Sequence, residues 1–412
     1  MITNPIIVVV AYSRLNSLEN LLDSLSKAQY DDDEVNLVIS IDYSGQQDVY
    51  NLADSFDWKN GKKIIIRHDH NLGLREHVLY CGDLSLQYES VIILEDDLLV
   101  SPSFYLYSKA ALEFYSNNFN IAGISLYHHE HNESTELPFE VINDGYDTYF
   151  MKVPSSSGQL WTATHWKGFR SWYDKGQQVL DVDFLPDNVI AWPETSWKKY
   201  FYKYLLETNT FFVCPKKSFT TNSGAIGKHH DKVTGLHHSS LTIQKGNFIF
   251  PRLEDTINVY DQFFEIFPDS INGIENIDLK DIELDVFATK PLNKVKSKYV
   301  ISSRVCKAPI RTYKVTYYPI NLNVLQGLKL IDKAQAHLCI GLTHSFANSI
   351  NPNFIKLFVS RTDKKVKESI ENEYLKQLTK TDIYKVGHRL VKVLNVLPFN
   401  LGSTLLNKLN SK

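Results

Sequence analysis

Residues 91–94 read Val-Ile-Ile-Leu and then stop at Glu95, Asp96 and Asp97. An apolar, β-branched run of this length reads as a buried strand, and it delivers three adjacent carboxylates to the strand's exposed end. Adjacent acids repel one another, so the arrangement is costly unless a cation or a donor-rich ligand faces it. Hard oxygen donors suit Mn2+ or Mg2+, and a metal-bound diphosphate is the ligand to which they point. A solvated acidic turn is the alternative for the motif taken alone.

The segments in front of the acids bear on that choice. Residues 5–12 form a short apolar run, followed by Ser13, Arg14 and a helical spacing of leucines at 15, 18, 21, 22 and 25. A second run, Val35 to Ile41, stops at Asp42-Tyr43-Ser44-Gly45, and a third, Lys63 to Ile66, leads into Asn71-Leu72-Gly73-Leu74-Arg75. Strands alternating with helices predict right-handed βαβ units and a mainly parallel sheet. The ligand crevice of such a sheet lies beyond the carboxyl ends of its strands. Arg14, Asp42, Arg75 and the acid triplet all fall at such ends.

Composition excludes more than it selects. With 412 residues, 43% of them hydrophobic and 12% aromatic, the chain can bury a large core and form more than one domain. A formal net charge of −3 exerts no general pull on nucleic acid. Cys81, Cys214, Cys306 and Cys339 are scattered, with neither zinc-site spacing nor the density of a disulfide scaffold, and read as reduced thiols. No charged leader precedes the first apolar run, and no segment has the roughly 18 apolar residues that span a bilayer. A cytoplasmic protein is the expectation, at the inner face of a membrane if it meets one.

The succession Val-Val-Val-Ala-Tyr12-Ser-Arg14, Ser-Ile-Asp42, Asn71-Leu-Gly-Leu-Arg75 and Ile-Leu-Glu95-Asp96-Asp97-Leu-Leu-Val-Ser-Pro102, with Phe104 following, resembles the GT-A glycosyltransferases. It is most similar to N-acetylglucosaminyltransferase I and to the bacterial family-2-like enzymes of surface polysaccharide assembly, over roughly residues 5 to 250. The resemblance implies a Rossmann-like nucleotide-diphospho-sugar transferase domain with a metal on Asp97. It also implies a UDP-sugar contacted by Glu95 and Asp96, and uridine held by the Tyr12–Arg14 loop, Asp42 and, further out, His70. Uracil presents one N–H donor and two carbonyl acceptors, which a carboxylate and a guanidinium at neighbouring strand ends can read together. Taken singly, Arg14 also reads as a solvated loop charge and Asp42 as a turn cap. Arg75 reads as a diphosphate contact or as a surface partner of Glu76 or Glu95.

Downstream, the Gly-bearing stretch that ends in Gln159-Leu160-Trp161 matches segments that line the sugar side of the cleft in the bacterial relatives. Trp161 would offer a pyranose a flat face, although a tryptophan at this spacing also reads as core. His128, His129 and His131 precede loop-forming residues and are expected to face solvent. The general base is where the chain departs from the family pattern. The Trp192-Pro193 segment reaches Trp197 and is followed by Lys198 and Lys199 instead of an aspartate. A lysine ammonium cannot accept a proton at neutral pH unless its pKa is strongly lowered. Glu194 is therefore the expected base, Asp187 the fallback, and Lys198 a contact for an acceptor anion. Glu194 placed simply in the first turn of a helix is the competing view. His229, after a Gly-rich loop, is a candidate second ligand for the metal or diphosphate.

The expected division is a GT-A domain over 1–250, a linker or acceptor-side segment over 251–298, and over 299–412 a small β-containing appendage with a basic helical tail. Residues 383–412 carry five Lys or Arg and no acid, so this tail could lie on an anionic bilayer or pack on protein. The activity implied is metal-dependent, inverting transfer of a sugar, N-acetylglucosamine by analogy, to a glycan or lipid-linked glycan hydroxyl. A catalytically silent nucleotide-sugar-binding relative is the second reading, prompted by the two lysines.

Overall fold

The computed structural model describes residues 4–31, 34–176, 184–223, 238–267 and 278–359. His229 with its Gly-rich loop, part of the 251–298 segment, and the basic tail 383–412 lie outside the described residues. The chain divides into two compact units. One runs to residue 298 and takes in 317–327, and the other comprises 299–316 and the chain from 328 onward.

The first unit is built as its apolar runs dictate. It begins β1 (Ile6–Ala11), α1 (Leu15–Ser26), β2 (Leu37–Ile41), α2 (Gln47–Ser55), β3 (Lys63–Arg67), α3 (Leu74–Asp83), α4 (Ser85–Tyr88) and β4 (Ser90–Glu95). It continues with β5 (Leu98–Val100), α5 (Phe104–Tyr115), β6 (Ile121–Ser125), β7 (Thr148–Met151), β8 (Gln159–Thr162) and α6 (Ala163–Tyr173). Then come α7 (Asp187–Ile190), α8 (Trp197–Thr208), β9 (Phe211–Pro215), β10 (Thr220–Asn222) and β11 (Val259–Tyr260). Helix α1 buries Leu18, Leu21, Leu22 and Leu25, a stripe at i, i+3, i+4 and i+7.

Nine strands form one sheet in the order β11-β7-β9-β6-β8-β4-β1-β2-β3. Its β3-β2-β1-β4 half is parallel throughout, while β8 runs against both β4 and β6. The fold is thus α/β with a mainly parallel central sheet. Every residue of β1 and β2 is buried, because both faces of a central parallel strand are covered, and this is why their sequences do not alternate. At the edge, β3 is only half-buried and is flanked by Lys63 and Arg67.

Register positions the site. Ala11 lies opposite Ile41, and Val10 lies opposite both Ser40 and Glu95. The Asp42 N–H then donates to the Ala11 carbonyl at 2.9 Å and the Asp96 N–H to the Val10 carbonyl at 3.0 Å. Strand β1 continues to β2 on one side and β4 on the other, and at such a switch the loops diverge and leave a crevice. Beyond it, β5 pairs antiparallel with β10, and the Ser223 N–H donates to the Asp97 carbonyl at 2.8 Å.

The second unit is smaller. Its strands Tyr299–Ser302, Leu338–Leu342, Arg311–Lys314 and Lys329–Leu330 neighbour one another antiparallel in that order. Arg304–Cys306 pairs with Phe346–Ile350, and the helix Pro352–Val359 follows. All four cysteines are free and buried. Among the described residues no helix is long and apolar enough to cross a membrane.

Candidate active site at the carboxyl rim of the sheet

The three acids occupy different surroundings although they are consecutive. The Arg14 guanidinium spans Asp96 and Asp97, donating from Nη2 to Asp96 Oδ1 and from Nη1 to Asp97 Oδ2 at 2.7 Å. Asp96 is buried, and its Oδ2 also accepts the Tyr12 backbone N–H at 3.2 Å. Burial pushes the Asp96 carboxyl up to about 6 against the pull of Arg14. Glu95, at the end of β4, is pushed up to about 8 by burial and then by the charge of Asp97. Arg14 and, from the start of α8, Lys198 oppose that shift.

These donors suit a hard cation, and the cation they hold is an arginine. Among the described residues no group of three or more His, Cys, Asp or Glu is arranged to hold a metal ion. A site of this kind fits a divalent ion bound through one or two carboxylates with phosphate oxygens completing its shell, rather than an all-protein cage.

Asp42 is buried and committed to the backbone. Its Oδ1 accepts from the N–H groups of Tyr43 and Leu72, both at 2.8 Å, and its Oδ2 from Gly73 at 3.1 Å. It caps two loops at once, because Gly73, with φ of 76°, turns the chain back toward the rim. His70 lies exposed, paired with Asp69 at 2.6 Å. Arg75 donates from Nε to Glu76 at 3.0 Å and from Nη1 to the Glu194 carbonyl at 2.7 Å. The Glu194 carboxylate accepts from Tyr200 Oη at 2.6 Å and Lys199 Nζ at 3.0 Å, and its side chain is 64% exposed. These bonds hold its pKa below the ordinary glutamate value. Asp187 is exposed at the start of α7. The structure therefore joins Arg75 to Glu194 and Arg14 to Asp96 and Asp97.

Trp161 requires a correction. Expected to offer a sugar its face, it is fully buried, stacked on Phe201 at 5.7 Å and packed against Trp166 at 4.6 Å. Strand β8 is interior to the sheet, so α6 and α8 cover the face on which Trp161 lies. Gln159 sits two residues earlier on that face, opposite Ile93 of β4, and is also buried. Neither its side-chain N nor its O has a hydrogen-bond partner. A buried, unsatisfied amide costs on the order of 1–3 kcal/mol, which a ligand or solvent hydrogen bond would offset.

The histidine expectation also fails. His129 is buried, and His128 and His131 are half-buried. The segment folds inward because Tyr127, His129, Phe139, Tyr149 and Phe264 form an aromatic cluster in which His129 packs at 5.2 Å on Tyr127 and 5.5 Å on Phe264. This fold turns Glu133 inward. Lys198 donates to both Glu133 oxygens, at 2.9 and 3.2 Å, with the two side chains 12% and 15% exposed. The Tyr202 hydroxyl bonds to Glu133 as well. Sequence reading missed Glu133, which stands in an Asn-Glu-Ser turn. The one signal for it was the pair of lysines in the first turn of α8, where the helix dipole favours acids and a nearby carboxylate is called for.

No family model matches the sequence, and no curated protein does. Solved structures give partial likenesses. Staphylococcus aureus TarS residues 1–349 with UDP-GlcNAc is 12% identical, at a TM-score of 0.37, over 54% of this chain and 60% of that one. The same fragment with UDP is 13% identical, at a TM-score of 0.35, over 52% and 59%. The mannosyltransferase PcManGT from Pyrobaculum calidifontis with GDP-Man and Mn2+ is 11% identical, at 0.29, over 41% and 47%. The chain thus spans about 60% of the TarS fragment and less than half of the mannosyltransferase.

Proposed function

We propose that the first unit is a GT-A glycosyltransferase domain that transfers a sugar from a UDP-sugar to a hydroxyl of a glycan or lipid-linked glycan. The observation that carries this reading is the register of β1, β2 and β4, which sets Arg14, Asp42 and the acid triplet on one rim of the crevice. Asp97, with Asp96 beside it, would hold Mn2+ or Mg2+, and the metal would supply positive charge to the departing diphosphate. Arg14 would engage the nucleotide once released from the two acids. Tyr12, His70 and Arg75 would be further donor contacts, as would Gln159, whose buried amide lacks a hydrogen-bond partner.

The chemistry is a single displacement. The acceptor oxygen attacks the anomeric carbon, the bond to the diphosphate breaks with its electron pair going to UDP, and the hydroxyl proton passes to a carboxylate. One displacement inverts the anomeric centre. N-acetylglucosamine is the sugar suggested by the sequence resemblance, and surface polysaccharide assembly at the cytoplasmic membrane face is the setting it suggests. Deleting residues 383–412 tests the membrane contact: the truncated protein should leave the membrane fraction.

Incubation with a panel of UDP-sugars and Mn2+ tests the reading. Slow donor hydrolysis that Asp97→Ala abolishes is expected. Metal-independent UDP binding without hydrolysis would favour the silent relative, a reading to which Arg14 lying on the acids lends support.

A further inference from the structure

We infer that Cys306 and Cys339 form a redox-modification site in the second unit, two adjoining thiols that close to a disulfide when the chain meets a thiol oxidant. Nothing in this depends on the donor reading, because both cysteines belong to the other unit.

The two residues are distant in sequence, and the fold brings their sulfurs to one place. Cys339 stands in the strand Leu338–Leu342, opposite Ser302 on one side and Thr312 on the other. Cys306 ends the strand Arg304–Cys306, which pairs with Phe346–Ile350 and so belongs to a different sheet. The Cys339 sulfur faces the carbonyls of Arg304 at 3.7 Å and Ser302 at 3.9 Å, on the chain that leads to Cys306. The Cys306 sulfur lies over Gly341, where an added Cβ would come within 2.8 Å of it. Gly341 is two residues beyond Cys339 and therefore on the same face of that strand. Only a residue without a Cβ leaves room for the sulfur there. Ser345 Oγ holds Cys306 Sγ from the other side at 3.2 Å, and the two thiols hydrogen-bond each other. Each cysteine is 6% exposed.

The step needs an oxidant, and a low-molecular-weight disulfide such as oxidised glutathione supplies it. One cysteine thiolate attacks that disulfide and expels a glutathione thiolate, and the second cysteine then displaces the other. Two protein S–H bonds are lost, one S–S bond forms, and two glutathione thiols carry off both electrons and both protons. Burial disfavours the Cys339 thiolate, so reaction is slow while the unit is closed and quickens when it opens locally. The bond ties one sheet of the unit to the other and closes the chain between them, which restricts the opened state. A small unit with a small apolar core gains most from such a staple.

The full chain is incubated with oxidised glutathione, once in buffer and once in urea just below its unfolding midpoint, then alkylated under denaturing conditions and digested. Mass spectrometry should find one cross-linked peptide pair, joining Cys306 to Cys339, with Cys81 of α3 and Cys214 of β9 alkylated. Cys306→Ser and Cys339→Ser should each abolish the pair, and Cys81→Ser should leave it in place. Oxidation should slow proteolysis within residues 299–359 by about tenfold or more, and dithiothreitol should restore the original rate. Because a serine variant could lose its fold, the peptide map of the unaltered chain decides. If Cys306 and Cys339 stay alkylatable in the urea arm, carry separate glutathione adducts, or pair with Cys81, Cys214 or a second chain, the inference is overturned. A cross-link that leaves proteolysis as fast as before overturns the stapling role.

Discussion

Two ion pairs of the first unit are built in opposite ways. Arg14 with Asp96 and Asp97 joins residues at the ends of adjacent parallel strands, where the sheet itself fixes the spacing. Lys198 with Glu133 joins the first turn of a helix to an inward-folded loop, and the aromatic cluster under that loop fixes the spacing instead. The first pair sets a cation on the carboxylates that we propose as the metal site. A sheet rim can therefore be read from strand patterning alone, whereas a loop carboxylate becomes visible only when the packing beneath it is known.

The comparison can be broken most directly at Asp97. Asp97→Ala should reduce metal-dependent donor turnover by about 1,000-fold, measured as UDP release, with little change in melting temperature. Arg14→Met leaves Asp96 and Asp97 without their cation and should cost about 3 kcal/mol in urea unfolding. Millimolar Mn2+ should recover part of that loss, since the ion replaces the guanidinium. Such recovery should be absent in Lys198→Met, and equal rescue of the two variants would erase the distinction between the pairs.

Acid pH sets the range in which these measurements are clean. Burial lowers both His77 and His165 to about 4 from an ordinary value of 6.5. The folded state thus binds fewer protons than the unfolded one. The corresponding stability is intact above pH 6.5 and is lost as pH falls toward 4, by about 2 kcal/mol per histidine between pH 7 and 5. His77→Gln, whose amide reaches the position of Nε2 and so keeps a partner for the Ser40 hydroxyl 2.8 Å away, should flatten its share of that slope. The smallest effect is expected at Lys198→Met, about 1 kcal/mol in urea unfolding, because a single carboxylate loses its cation and Glu133 keeps the Tyr202 hydroxyl.

The parallel half of the sheet was legible because β1, β2 and β4 are apolar runs, interrupted inside only by Ser40 of β2, that give way to polar residues at their carboxyl ends. Helix α1 declared itself by its leucine stripe. Trp161 was misplaced because a strand interior to a sheet buries both faces, so periodicity could not say which aromatic side chains meet a ligand. The histidines at 128, 129 and 131 were misjudged because a polar loop sequence does not reveal that four aromatic rings, Tyr127, Phe139, Tyr149 and Phe264, lie beneath it. Asp42 was read as a uridine contact or a local cap, and its second partner, the loop thirty residues on, is a long-range fact that spacing does not encode.

That double grip has a consequence for how the molecule can vary. One carboxylate sets the distance between the turn after β2 and the entry to α3, so neither turn can lengthen without tearing a hydrogen bond from the other. Insertions tolerated elsewhere on the surface should be rejected here. Any ligand that reaches this wall meets a surface whose outline was settled before it arrived.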